Sequence, residues 1–286
     1  MRKRWLVAGI LGLLSVSTAI GPPQDDQGFA DLLPKDATFT PPFENGEELR
    51  YEIYWKPVFF VPSLRAGEVR LRLDHSSLDG VDTFKIRGWA TSDGALTSFT
   101  GLKVENYYES EIDRSNFRSY RILQKFRQGK RQRDLQLVFD YSKKQTRVKE
   151  TDVRSDPPRV LRNGAKPGIP GPAIDVLSVF YVARLRTMKP GDRFIFYLNE
   201  KGSFRKVRVV AEGTETVETP IGKFPSIKIS TTGGLFRQGG DLRIWYSKNN
   251  LRIPTKFEAD LKLGKVYGQL IRIATPRMTK SIIRVK

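Results

Sequence analysis

From residue 242 to residue 274 apolar and charged residues alternate with almost no error. In the middle of that run Thr255, Phe257, Ala259, Leu261 and Leu263 fall on one face, and Lys256, Glu258, Asp260 and Lys262 fall on the other. A period of two is the signature of a β-strand with one buried and one wetted face. Asn249-Asn250 before this strand and Gly264-Lys265 after it supply residues that tolerate positive φ, the second with Gly first as a type II' hairpin requires. The segment predicts a three-stranded antiparallel meander.

The same alternation recurs upstream. Leu49, Tyr51, Ile53 and Trp55 share a face, and Val69, Leu71 and Leu73 are opposed by Arg70 and Arg72. Further strands are predicted at 83–90, 104–112, 118–127, 134–140, 146–151, 193–198, 204–211, 215–218 and 224–231. Residues 156–172 hold five prolines and three glycines and read as a crossing loop. Beyond it, 174–188 predicts a helix, with Ile174, Leu177, Tyr181, Leu185 and Met188 at helical spacing, Asp175 suited to the N-cap, and Arg184 and Arg186 to the C-terminal end. Val176, Val179, Phe180 and Ala183 make it apolar most of the way round, so the sheet should enclose it. The predicted fold class is all-β, mainly antiparallel: a curved sheet or incomplete β-barrel enclosing one α-helix. A transmembrane barrel would turn an apolar band toward lipid, whereas here the second strand face carries Lys, Arg, Glu and Asp.

The chain opens with Arg2-Lys3-Arg4, an apolar run from Trp5 to Leu14, and Ser17 and Ala19 spaced for a signal peptidase. Residues 1–19 read as a Sec-type signal peptide, and the apolar run is short of the roughly 20 residues that span a bilayer as a helix. Residues 20–42 read as a flexible lead-in, 43–276 as a single β-rich domain and 277–286 as a basic tail. Periplasmic location follows from the signal. The absence of cysteine excludes a lipoprotein anchor, a disulfide and a thiol nucleophile. The formal charge is +19 and falls to +16 when the three cations of residues 1–19 leave. For an exported chain the counterpart of that charge is an anionic lipid, lipopolysaccharide or an acidic polymer rather than nucleic acid. Solvated strand faces account for it equally.

Several islands carry a family resemblance: Pro42-Phe43 with Gly46-Glu47, Leu49-x-Tyr51, Ala66-Gly67, the run from Asp175 to Tyr181, Gly222-Lys223-Phe224, and Ile244-Trp245-Tyr246-Ser247 followed by Arg252-Ile253-Pro254. In order and spacing the chain resembles the bacterial envelope family catalogued as domain of unknown function 3108, over about 43–274. The resemblance implies an exported, sheet-rich protein without an assigned activity, and marks Asp175, Ser178, Gly222 and Pro254 as motif positions. One departure stands out: the turn after Ser247 is Lys-Asn-Asn where the family pattern places an acidic residue.

Candidate chemistry is sparse. His75 is the only histidine, no calcium-loop pattern occurs, and Ser203-x-x-Lys206 lies on a strand instead of a helix start, so neither a metal, a cofactor nor a serine nucleophile is expected. Glu47, Glu48, Asp175 and Glu215 are the carboxylates that a glycoside-cleaving hydrolase could recruit. Two binding sites are expected instead. One is an aromatic concavity of Trp55, Leu177, Tyr181 and Trp245 with Arg184 at its mouth. The other is an anion site of Arg121, Lys125, Arg127, Arg131 and Arg133 on one hairpin, where like charges need an anion or acidic neighbours to offset them. The sequence therefore points to a non-enzymatic envelope protein binding an amphiphilic or anionic component. The alternatives are a module docking through its sheet edges and a carboxylate-dependent hydrolase.

Overall fold

The structure is a computed structural model describing residues 39–58, 62–93, 97, 103–232, 241–261 and 264–276. The segment 1–19 expected to be a signal peptide, the expected lead-in up to residue 38 and the expected tail 277–286 lie outside the described residues. Eight strands form the first limb: β1 (Glu47–Pro57), β2 (Leu64–Leu78), β3 (Val81–Ser92), β4 (Glu105–Asp113), β5 (Ser119–Gln128), β6 (Arg131–Asp140), β7 (Gln145–Asp152) and β8 (Arg159–Pro167). After the two-residue β9 (Ala173–Ile174) comes the helix α1 (Val176–Val182), which tightens into a 3₁₀ turn over Ala183–Leu185. The second limb is β10 (Arg193–Glu200), β11 (Ser203–Thr219), β12 (Gly222–Thr232), β13 (Leu242–Ser247), β14 (Pro254–Leu261) and β15 (Gly264–Ala274).

Each limb is an antiparallel meander in sequence order, and β1 joins β15 to fuse them into one 15-stranded sheet running β8 to β1 and then β15 to β9. Only β9 on β10 is parallel. The sheet curls without closing, since β8 and β9 are its two edges. Across the seam, side chains substitute for a ladder: Arg162 Nη1 donates to the Lys201 carbonyl at 3.2 Å and Lys166 Nζ to Ser203 Oγ at 3.0 Å. The incomplete barrel around one helix is the predicted architecture.

Alternation sets what faces inward. Glu47, Leu49, Tyr51, Ile53 and Trp55 of β1 are all buried, and bulges at Arg50/Tyr51 and Ile53/Tyr54 bend that strand against its two neighbours. The main core runs from β1–β3 round to β10–β15 and α1, while a smaller cluster of Ile122, Phe126, Leu135, Leu137, Phe139 and Val148 occupies β5–β7. The core reaches into the expected lead-in, where Phe39 packs against it and the Pro42 carbonyl accepts from Arg184.

Three local expectations change. Residues 156–172 contain β8, because the prolines sit at the ends of that stretch and leave 159–166 free to pair with β7. The helix is shorter than 174–188, ending where Arg186 turns extended. In the C-terminal meander, Gly264 and Lys265 already pair with Leu261 and Asp260, so they belong to β15 and not to the turn. Gly264 is required for another reason: at φ +133° a Cβ there would lie 2.1 Å from the Lys56 carbonyl oxygen.

Helix and sheet meet closely at Gly88 on β3, where a Cβ would stand 3.0 Å from a Leu177 methyl. A Gly88→Val variant should lose about 1–3 kcal/mol through overpacking, read as a lower urea midpoint at unchanged m-value. An unchanged midpoint would show that α1 does not seat at this depth.

Candidate functional site

The helix is anchored at both ends by buried polar groups. At its start Asp175 Oδ1 accepts from the backbone N–H of Leu177 at 2.8 Å and of Ser178 at 3.2 Å, and the Asp175 N–H donates to Ser178 Oγ at 2.8 Å, completing a capping box. The second carboxylate oxygen accepts from Ser110 of β4, from Ser119 of β5 at 3.1 Å and from Ser178 at 3.0 Å. The motif Asp175-x-x-Ser178 therefore ties α1 to the sheet as well as starting it.

At the other end Arg184 is fully buried, with Nη1 on Glu47 Oε1 at 2.6 Å and Nη2 on Glu47 Oε2 at 2.9 Å. Its Nε donates to the Leu251 carbonyl and its Nη2 to that of Pro42, both at 3.1 Å. Burial opposes the guanidinium charge, yet Glu47 holds its pKa above the ordinary arginine value. The rings of Phe43 and Tyr181 lie under it, 5.2 and 5.4 Å away. Arg184 thus locks the floor of the fold and does not stand at a mouth, as expected from sequence. Its place at the C-terminal end of a helix made it look like an exposed cation, and nothing local reveals a partner 137 residues away.

Inside the sheet, one apolar surface is only half-buried. Val176, Val179 and Phe180 form a stripe along α1, and Val69, Tyr108 and Phe257 continue it on the inner sheet face. The surface is contiguous: Phe180 packs on Phe257 at 5.6 Å, Phe257 on Tyr51 at 5.3 Å, and Tyr51 pairs across strands with Val69. The same inner face carries polar side chains further round, Gln124 and Gln128 of β5 and Arg131 of β6 among the apolar Ile122, Phe126 and Leu135, with Gln124 paired across to Tyr108 and Gln128 to Arg131.

Trp55 and Leu177 are buried in the core, and Tyr181 is wholly buried beneath the helix with its hydroxyl unpartnered. Trp245 faces outward. Alternation on β13 turns Leu242, Ile244 and Tyr246 inward, while the Trp245 indole N–H donates to Glu215 and Lys256 lies 4.7 Å from its ring. The inward aromatic is its neighbour Tyr246, whose hydroxyl donates to the Val179 carbonyl at 3.4 Å.

The basic hairpin divides in two. Arg121 and Arg127 face outward and are paired, Arg121 with Glu111 at 3.1 Å and Arg127 with Asp134 at 2.7 Å, and Lys125 lies 5.8 Å from the Tyr107 ring. Arg131 and Arg133 share the inward face with Leu135, and Arg133 pairs with Glu150 at 3.1 Å. Acidic neighbours offset Arg121 and Arg127, and the five cations divide between the two faces of the hairpin. A separate external cleft of about 330 Å³ is lined by Arg118, Tyr141, Lys144 and the 169–172 segment, with the Arg118 guanidinium 4.3 Å from the Tyr141 ring.

The carboxylates do not converge. Glu47 and Asp175 serve opposite ends of α1, Glu48 binds Arg50 at 2.7 Å, and Glu215 accepts from Trp245. No group of metal-ligating side chains occurs among the described residues. His75 is exposed. The remaining motif positions are structural. Gly222 takes φ +137° at the β11–β12 turn, and the Pro254 carbonyl accepts from Tyr51 Oη at 2.8 Å. At the atypical turn the side-chain oxygen of Asn249 accepts from Ser247 Oγ at 2.8 Å, Leu251 N at 3.1 Å and Arg252 N at 3.2 Å, the part an acidic side chain would play. Arg252, not an asparagine, takes the positive φ there.

Among known proteins, the profile of the family described as "Protein of unknown function (DUF3108)" matches residues 50–271. No curated protein matches the chain. The crystal structure of a beta-barrel-like protein of domain of unknown function DUF1849 from Brucella abortus superposes at a TM-score of 0.56 and 9% identity, covering 80% of this chain and 97% of that one. It shares the fold alone. A Bacteroides fragilis protein assigned to the exported class, with a YmcC-like fold, covers 81% of this chain and 97% of its own at 15% identity, with a TM-score of 0.30 that carries no argument.

Two outcomes test the anchors. Arg184→Met strands Glu47 as an unpaired buried carboxylate and should cost about 3–5 kcal/mol, most of it recovered when Glu47→Leu is added; urea unfolding of the single and double variants measures this. The buried and hydrogen-bonded tyrosines set an alkaline limit. Glu52, by accepting its hydroxyl, and partial burial push Tyr54 up to about 12, and burial raises Tyr51, Tyr108, Tyr181 and Tyr246. A raised folded pKa means the unfolded chain releases phenolic protons first, so the contribution is intact below about pH 10 and falls as pH climbs past it. For Tyr54 the loss is complete just above about 12. Unfolding and tyrosinate absorbance should rise together in an alkaline titration, and Tyr54→Phe should reduce the slope between about pH 10 and 12.

Proposed function

We propose, for a chain that belongs to the DUF3108 family and takes no activity from that membership, that it is an exported, non-enzymatic binding protein holding the apolar part of an amphiphile inside its incomplete barrel. The observation that carries this reading is the half-buried stripe of α1 with Val69, Tyr108 and Phe257 around it. A helix enclosed by a sheet ordinarily buries such residues fully, because interiors pack to the density of organic crystals. Apolar surface left accessible on an inner face suits an acyl chain, the more so with a few polar groups on that face to orient it. The N-terminal Arg2-Lys3-Arg4 and apolar run support export, and envelope amphiphiles are what an exported protein meets.

Strand addition has less support. The open edge β8 carries Arg159, Arg162, Lys166 and Pro167, the residues that keep an edge unpaired. A hydrolase would need two carboxylates in one cleft, whereas Asp175 caps the start of α1 and Glu47 of β1 pairs with Arg184, nine residues further along the helix and its 3₁₀ turn, roughly 14 Å at helical rise.

Trp55 offers a direct test, since it faces inward while Trp245 faces outward. Titration with a dibrominated fatty acid should quench the Trp55 share of the emission, and Trp55→Phe should abolish most of the quenching. Organic extraction of the protein from its native envelope should yield an acyl-chain compound by mass spectrometry. Absence of both an extracted lipid and Trp55-dependent quenching would overturn the reading.

A further inference from the structure

Gln128 on β5 is 2% exposed and Gln124 is 5% exposed, yet both amide atoms of Gln128 and the Oε1 of Gln124 have no hydrogen-bond partner. Native interiors rarely leave even one such group unsatisfied, because each costs its full desolvation. Here three unpaired atoms stand on one inner strand face, on residues four apart with Phe126 between them, and the Gln128 Nε2 is the one donor among the three. Directly across from Gln128 is Arg131, at the end of a two-residue hairpin that opens on Gly129 at φ +54°. Arg131 forms no ion pair among the described residues, and its guanidinium lies 4.9 Å from the Phe126 ring centroid on the same inner face.

The surrounding charges leave the region positive. Arg133 of β6 and Arg162 of β8 share one carboxylate, Glu150 of β7, each at 3.1 Å, and Asp152 is engaged by Arg154. From β4 the facing groups are neutral, Asn106 and Tyr108. A half-buried guanidinium without a counter-ion is costly, and burial together with neighbouring Arg133 depresses the Arg131 pKa. An anion placed between Arg131 and Gln128 would accept from both and relieve that cost through charge-assisted hydrogen bonds.

We propose that Gln128, through its unpaired amide N–H, and Arg131 form a seat for a compact anionic head group, a carboxylate or a phosphate, on the inner face of the β5–β6 hairpin. The proposal rests on the amphiphile reading above and adds the chemistry of the head. It also moves the anion site from the outside of the hairpin to the inside. Arg121 and Arg127, already paired on the outer face, take no part.

The test compares three ligands of one chain length on the full mature protein: a fatty acid, an alkyl phosphate and a fatty alcohol, each by displacement of a fluorescent acyl probe. The two anionic ligands should bind at least about tenfold tighter than the alcohol, a difference that charge-assisted bonds readily supply. Arg131→Met should erase that preference while leaving the alcohol unchanged, and Gln128→Glu, which places a carboxylate beside Arg131, should reverse it. Arg121→Ala should change nothing. Circular dichroism confirms that the variants are folded, and Gln128→Glu keeps the test open should Arg131→Met fail that check. Acetate and inorganic phosphate serve as headgroups without a chain: displacement by either at millimolar concentration supports a seat that accepts the free anion. Equal binding of acid, phosphate and alcohol would sink the seat and leave the amphiphile reading standing, whereas binding of none would sink both.

Discussion

The structure depends on how a helix can sit inside a sheet without leaving buried polar groups unpaired. A helix has unsatisfied N–H groups at its start and carbonyls at its end, and inside a barrel water is scarce. Asp175 answers the first problem, with one oxygen on the helix and the other on Ser110, Ser119 and Ser178. The second is answered from the C-terminal meander, where Tyr246 donates to the Val179 carbonyl and Arg252 to that of Arg184, while the Arg184 side chain joins the end of α1 to β1 through Glu47, to the β13–β14 turn through the Leu251 carbonyl, and to the chain entry through Pro42. Arginine suits this task because its planar fork spreads donors in fixed directions, which a lysine ammonium cannot do. The start of the helix is thus tied to the first limb and its end to both, and the β1–β15 pairing holds those limbs in register.

Anchoring by polar contacts has a consequence for packing. A helix held by its ends need not be held along its length, so its seat against the sheet is not dictated by side-chain interlock alone. Leu177 presses onto Gly88 on one side, and Tyr181 and Val182 are buried below, while Val176, Val179 and Phe180 remain partly open. The two apolar clusters follow the same division. The larger includes the helix, the smaller lies across β5–β7, and the buried layer of Ser110, Ser119, Gln124 and Gln128 lies along β4 and β5. Unlike the serines, which Asp175 satisfies, the two glutamines do not serve the helix.

Period-two alternation made the sheet legible, because burial on one face repeats at every second residue whatever the partner strand. It predicted the inward set of β1 and the strand content of both limbs. It missed β8, which has no buried residue on either face and so carries no contrast to read. It also misassigned Trp245, since an aromatic beside Ile244 and Tyr246 looks like core until the phase of β13 is fixed; a buried Trp is equally content on an outer face under Lys256 and Glu215. The candidate site was less legible. Arg131 and Arg133 were visible as cations but not as inward residues, because the hairpin turn shifts which side of the strand they occupy. Gln124 and Gln128 gave no signal, since a glutamine at an inward position is ordinarily taken as a break in the pattern.

The charge of the chain takes on a different meaning once its cations are placed. A formal +19 invites the idea of a polyanion-binding surface. On the outer face, however, Arg65 meets Glu52 and Asp93, Arg87 meets Asp74, Lys85 and Arg121 share Glu111, and Lys256 and Lys265 share Glu258. The solvent-exposed ones among these pairs contribute little stability, about 0–1 kcal/mol each, but together the pairs cancel the local field that would draw a polyanion. Cations matter most where solvent cannot screen them and no carboxylate answers them. By that criterion the informative arginine of the basic hairpin is not among those pointing outward but Arg131, which the strand carries to the inside, opposite an amide with nothing to bind.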